Sequence, residues 1–204
     1  IDEACHQIRA WRDEGLRMRV AINLSVYQLR QADLADRITE ALQRHNINPK
    51  LLTCEITESV AMEDAIETMK VFDTLAQVGV HISIDDFGTG YSSLSYLRKL
   101  PAEELKIDRS FVQDLGSSED AERVVDAVIK LAQALQLKVV AEGVETEQQY
   151  AILRALGCDE LQGYLFAKPM SAKALSQWAM NDIGPKDIDF RESLYGDTRM
   201  AELH

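Results

Sequence analysis

The amino-acid sequence predicts an α/β protein in which repeated βα units surround a parallel sheet, as in an α/β barrel. Short β-rich segments alternate with longer segments of helical period, which is typical of this architecture. Six units can be counted, and six cannot close an eight-stranded barrel, so one or two strands are expected to be missing. We divide the chain into an incomplete barrel, residues 1–180, and a polar tail, residues 181–204.

The individual elements follow from hydrophobic period and from helix-ending residues. The predicted strands are residues 19–24, 51–57, 80–85, 104–107, 138–142 and a short segment at 159–162. A helix over residues 120–136 is expected to bury a stripe of four apolar side chains, namely Val124, Val128, Leu131 and Leu135. Leu34, Ile38 and Leu42 mark the helix after the first strand, and Gly79, Gly157 and Pro101 mark helix ends.

Composition and charge exclude several classes of protein. The 204 residues are 46% hydrophobic and 27% charged, a balance typical of a folded globular protein. A net charge of −12 argues against binding to a nucleic-acid polymer. No apolar run is long enough to span a membrane and no signal peptide is evident, which predicts a cytoplasmic location without membrane contact. The three widely spaced cysteines predict free, buried thiols.

Residue parity along the strands indicates which side chains face the barrel interior. In residues 80–85 apolar and polar side chains alternate, with His81, Ser83 and Asp85 as the polar set. Residues 51–57 and 104–107 alternate in the same way. Helices cover the outer face of such a barrel, so the polar sets are predicted to line its interior.

The last inward side chain of each strand completes a polar ring, whose members are Asn23, Glu55, Asp85, Lys106, Glu142 and Gln162. The carboxyl ends of barrel strands are where active sites form. Carboxylate and amide oxygens suit hard cations such as Mg²⁺ or Mn²⁺. The pair Asp85-Asp86 suits a two-metal centre, in which one carboxylate bridges both ions.

Taken singly, these residues also have structural interpretations. Asp85 and Asp86 precede a glycine-rich turn and are common turn residues. Glu55 and Glu58 are also consistent with a surface salt-bridge pair, and Glu142 and Glu145 with a solvated loop. Lys106 could pair with Glu104 or Asp108, and His81 is interpreted as a core histidine. Six strand ends in one register favour the functional interpretation of the set.

Six motifs carry a family resemblance: NLS at 23–25, EITES at 55–59, IDDFGTGYSS at 84–93, LKIDRSF at 105–111, AEGVET at 141–146 and QGYLF at 162–166. Together they resemble the EAL family of cyclic di-GMP phosphodiesterases. The resemblance implies a modified TIM (β/α)8 barrel, two Mg²⁺ or Mn²⁺ ions, hydrolysis of cyclic di-GMP to linear pGpG, and a homodimer. It also implies an upstream segment with the Glu-Ala-Leu signature, before the first residue of this sequence.

The resemblance assigns a role to individual residues. Asn23, Glu55 and Asp85 would bind the first metal, and Asp85, Asp86 and Glu142 would serve the second. Lys106 would orient or help to deprotonate the attacking water, with Asp108 orienting Lys106. Glu58 would brace the loop at 87–93, Glu145 and Gln162 would give supporting contacts, and the segment from Phe166 to Pro169 would lie near a guanine base. The alternatives are a receptor that binds cyclic di-GMP without hydrolysing it, and a catalytically inactive scaffold.

Overall fold

A computed structural model describes residues 1–63, 65–90 and 94–180. They form a six-stranded parallel sheet in which the strands follow one another in chain order. The strands are β1 (Val20–Asn23), β2 (Leu52–Thr57), β3 (His81–Phe87), β4 (Glu104–Ile107), β5 (Lys138–Ala141) and β6 (Glu160–Leu161). All six predicted strands are confirmed, with ends that shift by one or two residues. The predicted tail, 181–204, lies outside the described residues.

Helices connect the strands and cover the outer face of the sheet. They are α1 (Asp2–Asp13), α2 (Val26–Leu29), α3 (Leu34–His45), α4 (Glu58–Met62), α5 (Ala65–Val78), α6 (Leu94–Leu97), α7 (Arg109–Gln113), α8 (Glu119–Ala134), α9 (Glu147–Leu156) and α10 (Ala172–Met180), with a 3₁₀ turn at Pro49–Leu51. The expected glycine stops are confirmed: Gly79 and Gly157 follow α5 and α9 with φ of +88° and +84°. Within the described ranges, no helix is long and apolar enough to cross a bilayer.

The main core lies between the outer face of the sheet and the helices. Fully buried side chains on the outward positions include Ile56, Ile82 and Leu105, and the helices add Ile38, Phe72 and others. Burying one such aliphatic side chain contributes about 1.5–3 kcal/mol relative to leaving it exposed. This layer therefore fixes the sheet against its helices and leaves the inner face free to carry polar groups.

The sheet curls into a half-barrel. The guanidinium of Arg19, just before β1, lies 3.3 Å from Glu160 Oε2 in β6, so this long side chain connects the amino ends of the two edge strands. Nearby, Trp11 Nε1 of α1 donates a hydrogen bond to Ser176 Oγ of α10 at 3.0 Å. Among the described residues, β1 and β6 have no strand on their outer edges, and Asn23 on the inner face of β1 is exposed.

The predicted stripe of α8 is confirmed in part, because Val128, Leu131 and Leu135 pack half-buried against the core, but the most buried face lies one residue further along the helix. Val125, Ile129 and Ala132 are fully buried, whereas Val124 is 43% exposed and Val128 lies at the margin of the core. Apolar residues occupy both positions, so spacing alone could not show which of them faces the sheet. Helix α8 packs against β4 and β5.

The pairing of β3 with β4 contains a bulge at the carboxyl end of β3. Ile84 pairs with Leu105, but the next pair is Phe87 with Ile107, so three steps on β3 match two on β4. Asp86 lies within the bulge and has φ of +54°, a left-handed conformation that aspartate tolerates better than most residues. The bulge interrupts the alternation of side chains and changes the direction in which the last side chains of β3 point.

Candidate active site

Four side chains of the predicted ring meet at the carboxyl ends of β2, β3, β4 and β5. The ammonium of Lys106 lies 2.8 Å from Glu55 Oε1, 3.3 Å from Asp85 Oδ1 and 2.5 Å from Glu142 Oε1. Glu142 follows the last residue of β5 and reaches the same point from the next strand. Side chains of four neighbouring strands thus share one small polar space.

The electrostatics of this group depend on low exposure to water. The side chain of Lys106 is only 6% exposed. Burial by itself would lower the pKa of Lys106, but its hydrogen bonds and ion pairs with Glu142 and Glu55 raise that pKa well above its ordinary value. Burial raises the pKa of Glu142, and Lys106 opposes that effect. Lys106 is therefore an ammonium that balances part of the negative charge.

Two further aspartates extend the site along the same rim. Burial, together with the charges of Asp85 and Asp108, raises the pKa of Asp86. Asp85 Oδ1 also accepts a hydrogen bond from the backbone amide of Asp86 at 2.9 Å. Asp108 caps α7 and accepts hydrogen bonds from the amide and the hydroxyl of Ser110, which outweigh burial and lower the pKa of Asp108.

Glu58 lies under the loop that follows β3. Its side chain is 1% exposed, and Oε2 accepts hydrogen bonds from the amides of Gly88, at 2.8 Å, and Gly90, at 3.2 Å. These contacts connect α4 to the backbone directly after Asp86. Residues 91–93 of the predicted loop lie outside the described residues.

The remaining predicted site residues differ in their strand register, their exposure and their own contacts. Asn23 is paired with Glu55 in the register of β1 and β2. Gln162 and Glu145 are exposed, as is Pro169, and backbone hydrogen bonds join Gln162 to Ala141 and Val144. Phe166 packs edge-to-face on Tyr150, with 6.2 Å between the ring centroids. The structure thus brings Glu55, Asp85, Lys106 and Glu142 into contact and leaves Gln162, Glu145 and Pro169 exposed to solvent.

The structure decides between the interpretations that the sequence left open. Glu58 is buried against a loop, so it does not form a surface pair with Glu55. Lys106 contacts the three ring carboxylates and leaves Glu104 to other partners. His81 is a core histidine, as predicted, because it is 6% exposed and its ring contacts Glu104 at 3.3 Å.

A second buried charge cluster, which sequence reasoning missed, lies at the amino end of the sheet. Glu104 contacts both Arg19, at 3.4 Å, and His81. Burial would raise the pKa of Glu104, but hydrogen bonding to His81 and the charge of Arg19 outweigh it and lower that pKa. Glu160 contacts Arg19 as well, and burial raises the pKa of Glu160. Parity had placed His81 and Glu104 on the inner face, and that signal could have revealed the cluster.

The donors of the main site suit a divalent metal ion in chemistry, although they surround an ammonium. Oxygen atoms of Glu55, Asp85 and Glu142 already converge on one cation, and Asn23 and Asp86 add oxygens nearby. Oxygen-only sites of this kind bind Mg²⁺ or Mn²⁺. Across residues 1–63, 65–90 and 94–180, no three acidic, histidine or cysteine side chains are spaced to hold a metal as they stand. To bind a metal ion, the carboxylates would have to move closer together than they are around the Lys106 ammonium.

A half-barrel with a ring of carboxylates at its strand ends has the arrangement expected of a metal-binding active site in an α/β barrel. Comparison with known proteins identifies the family. Residues 1–169 match the model of the EAL domain, and the chain belongs to the EAL domain family.

Individual relatives are similar along most of the chain. The bifunctional diguanylate cyclase/cyclic di-GMP phosphodiesterase MucR of Pseudomonas aeruginosa is 50% identical over 176 residues, which are 86% of this chain and 26% of MucR. The structure of the PaMucR phosphodiesterase in complex with c-di-GMP superposes with a TM-score of 0.82 at 50% identity, over 85% of this chain and 71% of that one.

A more distant neighbour was solved with a metal. The Klebsiella pneumoniae BlrP1 manganese/cy-diGMP complex superposes with a TM-score of 0.75 at 30% identity, over 82% of this chain and 42% of that one. The chain spans about a quarter of the length of the curated relatives it matches. The similarity therefore concerns one domain of longer proteins.

Proposed function

We propose that this domain hydrolyses cyclic di-GMP to linear pGpG with the help of divalent metal ions. The observation that carries the proposal is the convergence of Glu55, Asp85 and Glu142 on one buried cation at the strand ends. Membership of the EAL domain family supports the substrate, since relatives such as MucR are named as cyclic di-GMP phosphodiesterases.

The resemblance to the EAL family suggests a role for each residue of the centre. Asn23, Glu55 and Asp85 would hold one metal ion, and Asp85, Asp86 and Glu142 would hold a second ion with its water. Two such ions, when bound, activate water and offset charge on the phosphoryl oxygens of the substrate. Lys106 offers three N–H donors and no acceptor, so it suits orienting a water or a phosphoryl oxygen.

The surrounding residues keep this centre in place. Glu58 fixes the backbone of the loop after Asp86 through the amides of Gly88 and Gly90. Asp108, held by Ser110, adds negative charge beside Asp86 and would help to orient Lys106. Gln162, Glu145 and the segment from Phe166 to Pro169 are proposed as supporting or base-proximal contacts on the same rim.

The finer points of the proposal are the metal, the assembly and the location. Mg²⁺ or Mn²⁺ is favoured by the oxygen-only donor set. We also propose that the protein forms a homodimer, lies in the cytoplasm and contacts neither a membrane nor a nucleic-acid polymer. The acidic charge of the chain agrees with a small anionic substrate that is bound through metal ions.

The test is hydrolysis of cyclic di-GMP by the chain in Mg²⁺ or Mn²⁺, with pGpG followed by chromatography. We expect pGpG to form, chelation to stop its formation, and Asp85→Asn to abolish it. Asp126→Asn is the matched control, because Asp126 pairs with the surface lysine Lys130 on α8, and this variant should leave the rate unchanged. Binding of cyclic di-GMP without product, or a wild-type rate in Asp85→Asn, would contradict the proposal.

A further inference from the structure

The ammonium of Lys106 occupies the space that three carboxylates enclose. Its distances to oxygens of Glu55, Asp85 and Glu142 are 2.8, 3.3 and 2.5 Å. The lysine side chain is 6% exposed and those of the three acids are 11%, 12% and 21% exposed, so water screens this charge poorly. Carboxylates that gather around one nitrogen repel one another, and Lys106 is the cation that offsets this repulsion.

A metal ion needs a tighter arrangement of the same oxygens. Carboxylate oxygens lie about 2.0–2.1 Å from Mg²⁺, whereas charge-assisted N–H···O contacts are about 2.7–2.9 Å long. Oxygens that surround an ammonium therefore stand too far apart for a metal, which agrees with the absence of a metal-ready cluster in the described part of the chain. A metal and the ammonium would also repel each other at this range.

We propose that Lys106 is a built-in counter-ion of the metal-free site, which competes with the metal for Glu55, Asp85 and Glu142. The proposal rests on the metal site of the proposed function. When a divalent ion binds, the ammonium of Lys106 loses some of its contacts with the three carboxylates and moves away from them. Lys106 then stabilises the metal-free fold and weakens the binding of metal.

The test measures Mn²⁺ binding by calorimetry and thermal unfolding with and without Mn²⁺, for wild type and Lys106→Met. Methionine keeps an unbranched, apolar side chain and lacks the terminal ammonium of lysine with its charge. We expect Lys106→Met to bind Mn²⁺ about tenfold tighter or more, because breaking a buried ion pair leaves carboxylates uncompensated. Without metal the variant should unfold at a lower temperature, and Mn²⁺ should raise its unfolding temperature more than that of wild type.

Two matched variants define the control. Lys130→Met removes a surface lysine that contacts Asp126 at 2.6 Å on α8, and its Mn²⁺ affinity should equal that of wild type. Lys106→Arg keeps a cation at the site and should bind Mn²⁺ more weakly than Lys106→Met.

A crystal structure of the wild type with Mn²⁺ should show the Lys106 ammonium withdrawn from at least one of its three carboxylates.

Several results would overturn the inference. Equal or weaker Mn²⁺ binding in Lys106→Met would mean that the ammonium does not compete with the metal. A structure with bound Mn²⁺ and all three lysine contacts intact would mean the same. If Lys106→Met is unfolded without metal, Mn²⁺ must restore its fold, and failure to do so counts against the proposal. Wild type that binds no Mn²⁺ would refute this inference together with the metal site. Mn²⁺ binding with the expected affinity ratio but without pGpG would refute only the proposed function.

Discussion

The contact between Glu58 and the loop after β3 allows a quantitative prediction. One carboxylate oxygen, Oε2, accepts hydrogen bonds from the amides of Gly88 and Gly90 at 2.8 and 3.2 Å, and the side chain is 1% exposed. Glu58→Gln keeps the shape and removes the charge. Glu58→Ala removes the acceptor altogether and leaves both amides without it.

The magnitude follows from the two hydrogen bonds. A hydrogen bond to a charged group contributes about 1.5–3 kcal/mol, and one between neutral groups about 0.5–1.5 kcal/mol. Because glutamine can still accept from both amides, Glu58→Gln should lower the free energy of unfolding by about 1–3 kcal/mol. Glu58→Ala should lower it by about 2–5 kcal/mol, since two amides lose their hydrogen bonds to one buried, charged acceptor.

The assay is urea denaturation at neutral pH, combined with amide hydrogen exchange of the loop and the rate of cyclic di-GMP hydrolysis. We expect faster exchange at Gly88 and Gly90 and a hydrolysis rate lowered about tenfold or more, because the loop begins directly after Asp86. Glu40→Ala serves as control, since Glu40 is an exposed carboxylate on α3. A change in unfolding free energy below about 0.5 kcal/mol in Glu58→Ala, with unchanged exchange, would refute the reasoning.

Three further predictions concern the fold. Val125→Ala should lower the free energy of unfolding by about 1–3 kcal/mol, and Val124→Ala by less than about 0.5 kcal/mol, because Val125 is buried and Val124 is exposed. Equal losses of stability in urea denaturation would contradict the observed orientation of α8. Gly163→Ala should destabilise by more than about 3 kcal/mol, because its Cβ would lie 2.1 Å from the backbone oxygen of Val144; a wild-type thermal transition would disprove this clash. The pKa of Glu104 is lower in the folded protein than its ordinary value of about 4.3. The ionised carboxylate therefore stabilises the fold above about pH 4.3, and this contribution is lost as pH falls through the lowered pKa. Glu104→Gln should therefore flatten the loss of stability in acid, and an unchanged pH profile would exclude this role.

Much of the fold could be predicted from local pattern because each strand and helix buries one face. The alternation of Ile82 and Ile84 with Ser83 and Asp85 predicted both the strand and the direction of its polar face, and β3 confirms the strand. Helix ends at Gly79 and Gly157 were predictable since a left-handed residue after a helix favours glycine. Helix α8 was not predictable in the same detail, because apolar residues occupy adjacent positions, Val124 and Val125, and only packing against the sheet selects one.

The sequence by itself determined the parallel βα order, the inward parity of the strands and the set of oxygen-bearing residues at the strand ends. These properties depend on spacing along the chain, which any reader of the sequence can count. Family membership followed from the same motifs and is confirmed by the match over residues 1–169.

Tertiary structure alone decided which of those residues touch. The bulge in β3 and the left-handed Asp86 break the alternation that parity assumes. Lys106 is long enough to reach carboxylates from β2, β3 and the residue after β5, and no sequence spacing reveals which of its acidic neighbours it selects. The curl that brings Arg19 to Glu160 likewise joins residues 141 positions apart. Such contacts depend on the twist and closure of the sheet, which are collective properties of all six strands.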